Sequence, residues 1–148
     1  MSNTTAEWGT GFTPLANADS SKSPRLMLID GAQGSEASTD WTNFNSTTWS
    51  TIEQRLSQAQ PPATTNQVQI IWMKHARRQP TNAFPVHAQL LQNDLELILR
   101  DAHLRYPNLK IAYLSSRIRS YATNIGALNP EPFAYESAFA VRWLIESS

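Results

Sequence analysis

The chain has no cysteine, only five glycines in 148 residues, and just 16% charged residues. Without cysteine there are no disulfides, thiolate metal sites or cysteine nucleophile. Twelve basic and twelve acidic residues cancel. That balance removes the Lys/Arg excess a nucleic-acid binder needs, so no nucleic-acid partner is expected. No apolar run approaches the roughly 18 residues of a membrane span, so no membrane partner is expected either. Met1 to Asn17 carries neither a basic start nor an apolar stretch; no secretory signal is read, and no compartment is indicated. The three histidines, His75, His87 and His103, show no metal-ligand spacing. Nothing in the sequence calls for a metal or other cofactor. What the chain does have is 41% apolar residues, enough to build one domain with a buried core.

Three short, nearly continuous apolar runs stand out: Arg25–Ile29, Val68–Met73 and Lys110–Leu114. Lack of alternation is the pattern of strands buried on both faces of a parallel sheet. Pro24, Pro61-Pro62 and Pro107 stand before them as breakers. Between and after the runs the spacing predicts helices. Trp49, Ile52, Leu56 and Ala59 mark one over Trp49–Ala59. Leu91, Leu95, Ile98 and Ala102 mark a second over Pro85–Tyr106, stopped by Pro107. A third runs from about Pro132 to Ile145, with Phe133, Ala134, Ala138, Val141 and Ile145 as its expected buried stripe. The order strand, helix, strand, helix, strand, helix predicts an α/β domain with a parallel sheet. Met1 to Ser23 reads as loop or weak helix.

In such a sheet, ligands gather at the carboxyl ends of the strands. After the first run comes Asp30-Gly31-Ala32-Gln33-Gly34-Ser35-Glu36, holding two of the five glycines. Glycine there serves either a strand-to-helix turn or a close approach to backbone amides that hold an oxyanion. After the second run, Lys74-His75-Ala76-Arg77-Arg78 is either a solvated loop or a cationic cluster for a carboxylate or sugar hydroxyl. After the third, Ser115-Ser116-Arg117-Ile118-Arg119, with Tyr121 and Asn124, offers hydrogen-bonding groups for a polar ligand. It reads equally as a turn with Arg117 paired to Glu131 or Glu136. Of the five tryptophans, Trp72 and Trp143 read as core. Trp8, Trp41 and Trp49 flank the polar loops, where core packing or stacking on a ligand ring are both open.

Met1-Ser2-Asn3-Thr4-Thr5 resembles the first sequence block of SGNH (GDSL-like) hydrolases in its Gly-x-Ser-Asn form, as in carbohydrate acetylesterase-like members. Asp30-Gly-Ala-Gln-Gly34 resembles the second block. Tyr113–Arg117 and Asn129–Glu146 are similar to an uncharacterised bacterial branch placed near these hydrolases. The resemblance implies a three-layer α/β/α, flavodoxin-like fold and ester hydrolysis by a serine. Ser2 would be the nucleophile, the amides of Ser2 and Gly34 would face the oxyanion, and a histidine would take the serine proton. Asn3, Gln33, Lys74, His75 and Arg117 would line the substrate. The family's oxyanion Asn has no counterpart around Trp72–His75, and its Asp-x-x-His block has none after His103. The chain is therefore expected to be a single partial domain, clipped at both ends, with little turnover alone, because a nucleophile near a terminus is poorly held. The substrate implied is a carbohydrate or other small acyl ester. The alternative is a non-catalytic module that binds a glycan or polar ligand at the same strand ends. Exposed sheet edges would favour self-association.

Overall fold

The computed structural model describes residues 7–117, 119–121 and 129–147. A π-helical segment, Glu7–Phe12, leads directly into a short helix α1 (Thr13–Ala18). Then come α2 (Thr47–Gln58), β1 (Ile70–Lys74), α3 (Val86–Arg105), β2 (Ile111–Ser115) and α4 (Phe133–Glu146). The three long helices and two strands lie within two residues of the positions predicted from spacing. β1 and β2 pair in parallel, with Ile70 opposite Ile111 and Lys74 opposite Ser115. The described chain is thus a mixed α/β unit around a small, open, two-stranded parallel sheet. Among the described residues no helix is long and apolar enough to cross a membrane.

The run Arg25–Ile29, expected to be a third strand, joins no ladder. Side chains bind one carbonyl within the run and two just after it. Lys22 Nζ donates to Leu26 O (2.8 Å), and Arg55 Nη1 donates to Asp30 O (2.7 Å) and Ala32 O (2.8 Å). The apolar side chains are still used, since Met27 and Ile29 pack on the core beside Ile71 and Met73.

α3 holds the fold together because its single apolar stripe serves two clusters. Its amino half places Leu91 and Leu95 against Ala140 and Leu144 of α4. Its carboxyl half places Ile98 and Ala102 among Trp41, Trp49, Leu56 and Tyr106. Trp41 and Trp49 meet edge to face at 5.1 Å, an arrangement worth about 0.5–1.5 kcal/mol beyond burial. Both tryptophans are therefore core. α3 stops where Pro107 follows Tyr106, and His103 and Arg105 in its last turn suit the negative end of the helix dipole.

The stripe of α4 differs from the expected one. Ala134, Glu136, Ser137, Ala140 and Leu144 face inward, while Ala138 and Ile145 are exposed. The helix is apolar nearly all round, so spacing alone leaves its rotation open. Two buried polar residues, Glu136 and Ser137, settle it by finding partners inside. Trp143, expected in the core, lies partly exposed on the outer side.

Candidate functional site

The parallel register brings the carboxyl ends of β1 and β2 side by side. Lys74 and His75 leave one strand next to Ser115 and Arg117 of the other. Alternation along the strands puts Trp72, Lys74 and Ser115 on one face of the sheet. Trp72 Nε1 donates to Ser115 Oγ (2.8 Å) across the strands. Trp8 stacks on Trp72, with centroids 5.6 Å apart and planes 9° from parallel. The segment carrying Trp8 also reaches the end of the first apolar run, since a Cβ on Gly9 would lie 3.5 Å from Asp30 Oδ2.

His75 meets Trp41 edge-on at 5.6 Å. Burial pushes its imidazole down to about 4, so the ring is neutral at pH 7. Gln33 is pinned by its amide, Nε2 donating to Thr48 O (2.7 Å). Gly34 is exposed, and open space surrounds the place a Cβ would take. The left-handed backbone in this turn belongs to Ser35 (φ 66°), and no described glycine has positive φ. Gly31 serves close packing instead, since a Cβ there would come within 3.3 Å of Ile52 Cδ1. Lys74 and His75 thus leave β1 beside the end of β2, and Arg117 follows β2 by two residues, while Gln33 and Gly34 lie on the turn after the first run. Ser2 and Asn3, the expected nucleophile and its neighbour, lie outside the described residues, as does Asn124.

Beneath these strand ends lies a buried polar network. Ser38, fully buried, donates its backbone N–H to Ala76 O (3.0 Å) and its hydroxyl to Asp94 Oδ2 (2.7 Å). Arg77 Nη1 donates to Asp94 Oδ1 (3.1 Å) and to Leu90 O (3.2 Å). Burial raises the pKa of Asp94 against the lowering by the Ser38 hydroxyl and Arg77. Asn129 Nδ2 reaches Arg77 O at 3.4 Å. Next to it, His87 Nδ1 lies 3.0 Å from Glu136 Oε2, joining the amino end of α3 to α4. Both side chains are nearly sealed off, at 1% and 7% exposure. Burial lowers the pKa of His87 more than Glu136 raises it, so the neutral imidazole donates from Nδ1 to the carboxylate. Glu131 Oε2 accepts from Tyr135 N–H (3.1 Å) at the start of α4, and the Arg117 backbone N–H donates to Ser137 Oγ (3.0 Å). The two acids nearest Arg117 in sequence therefore bind His87 and the first turn of α4.

This network is what sequence reasoning missed. Its signal was present for Asp94, which falls within the buried stripe of Leu91–Leu95–Ile98. A carboxylate at such a position is buried only with a partner. Ser38 carries no comparable signal. A groove of about 800 Å³ lies elsewhere, between Pro24–Asp30 and Gln58–Pro61, with Gln67 at its end. None of Gly34, Lys74, His75 or Arg117 lines it. Among the described residues no group of His, Asp or Glu is arranged to hold a metal ion.

No family model, curated protein or solved structure matches the chain.

Proposed function

We propose that this chain is an SGNH-type serine ester hydrolase domain, acting on a carbohydrate or other small acyl ester. The observation that carries the reading is the parallel register of β1 and β2. It gathers Lys74, His75, Ser115 and Arg117 at one end of the sheet, where α/β proteins bind ligands. The fold belonging to this reading is the three-layer, flavodoxin-like sandwich, with β1 and β2 as two of its strands. In the reaction, Ser2 Oγ attacks the acyl carbon and its proton passes to a histidine. The amides of Ser2 and Gly34 stabilise the oxyanion, the alcohol leaves, and water cleaves the acyl-serine. In this reading His75, which directly follows β1, is the histidine assigned to take the proton. Asn3, Gln33, Lys74 and Arg117 hold the polar part of the ester.

Turnover of an aryl acetate and an acetylated xylo-oligosaccharide tests the reading. The expected result is slow hydrolysis, abolished in Ser2→Ala and lowered at least about tenfold in His75→Gln. Hydrolysis unchanged in Ser2→Ala overturns it. Saturable glycan binding without hydrolysis supports the non-catalytic module instead.

A further inference from the structure

We propose that the outer face of α4 is a homodimer interface, across which a second copy of this chain packs antiparallel. The proposal does not depend on the ester reading. Tyr135, Phe139 and Trp143 stand four residues apart on the outward side of the helix. Successive rings touch at 6.0 and 5.7 Å. Phe84, on the loop leading into α3, closes against Phe139 at 5.1 Å and Trp143 at 5.8 Å. Tyr135 is 60% and Phe84 47% exposed. Four aromatic rings in a surface row are costly to leave in water.

Two features select a second copy as the occupant. The first is area. An aromatic side chain presents about 150–250 Å², so this face, with exposed Ile145 at its flank, leaves about 450 Å² of apolar surface open. A symmetric pair with its polar rim then buries about 1,000 Å², which reaches the lower bound for a specific interface. The second is self-complementarity. The row is symmetric about Phe139, so an antiparallel partner sets its Tyr135 over Trp143, and Trp143 over Tyr135, around a two-fold axis. Charge does not oppose this. Arg142 and Glu146 on the same face neutralise each other at 2.7 Å.

Sedimentation velocity of the full chain, with chemical crosslinking, tests the proposal. A concentration-dependent dimer is expected, with twice the 16.6 kDa mass of the chain. Tyr135→Ser is expected to raise the dimer Kd at least about tenfold, and its far-ultraviolet circular dichroism should match the parent chain. Because the chain has no cysteine, exposed Ala138→Cys gives a unique handle. A short bismaleimide should link two Ala138→Cys copies and should not link two Ile111→Cys copies. A chain that stays monomeric overturns the proposal. So does a dimer unmoved by Tyr135→Ser, or one lost in Tyr113→Ser and linked through Ile111→Cys.

Discussion

Replacing Asp94 with alanine is expected to lower the unfolding free energy by about 3 kcal/mol, read from urea denaturation. The carboxylate satisfies two groups at once, the sealed hydroxyl of Ser38 at 2.7 Å and the guanidinium of Arg77 at 3.1 Å. Alanine leaves Ser38 without its acceptor, which costs about 1–3 kcal/mol alone. It also leaves Arg77 facing a low-dielectric interior without its counter-charge. Asp94→Asn keeps an acceptor for Ser38 but loses the charge and turns an amide N–H2 toward Arg77, so its loss should be smaller than that of alanine while remaining measurable. An Asp94→Ala loss below about 1 kcal/mol would show that the network contributes little. The same substitution loosens the segment that carries Ala76 and Arg77, and with it His75.

Stability is expected to fall as pH drops from 7 toward 4.5, by about 2–3 kcal/mol. His75 and His87 are both held below the ordinary histidine value by burial, His75 at about 4. The unfolded chain therefore takes up protons first, near pH 6.5, and is stabilised relative to the folded one. The stability these groups contribute is present above the unfolded value and is lost as pH falls below it, until the folded pKa is reached. Asp94 acts in the opposite sense, because burial raises its pKa, and it flattens the curve at the acid end. Thermal melts in a pH series measure the slope. His75→Gln should flatten the curve between pH 6.5 and 4.5, and an unchanged slope in that variant contradicts the assignment.

Helix positions were legible because periodicity is a local property. Leu91, Leu95, Ile98 and Ala102 mark the buried face of α3, and Pro107 marks its end. The parallel pair was placed by the nearly continuous apolar runs Val68–Met73 and Lys110–Leu114, but neither strand is buried on both faces as that pattern predicts: β1 is mostly half-buried, and Ile111, Ala112 and Tyr113 of β2 are exposed. The similar run Arg25–Ile29 misled, since pairing depends on which donors reach the carbonyls, and Lys22 and Arg55 are not strand neighbours. The rotation of α4 was not legible, because the pairs that fix it are distant in sequence. His87 and Glu136 are 49 residues apart, and Arg117 and Ser137 are 20. The strand ends named Lys74, His75 and Arg117 as candidates, and the register sets the exits of β1 and β2 side by side, with Lys74 opposite Ser115. Neither reading of the glycines in the Asp30–Glu36 turn anticipated the packing of Gly31 against Ile52, and the left-handed residue there is Ser35.

The central claim, an activated serine beside these strand ends, is tested most directly by mass spectrometry after treatment with a fluorophosphonate. One phosphonyl group per chain is expected, mapped to Ser2 and absent after denaturation before treatment. A native chain that remains unmodified, or carries the group on another residue, contradicts the claim.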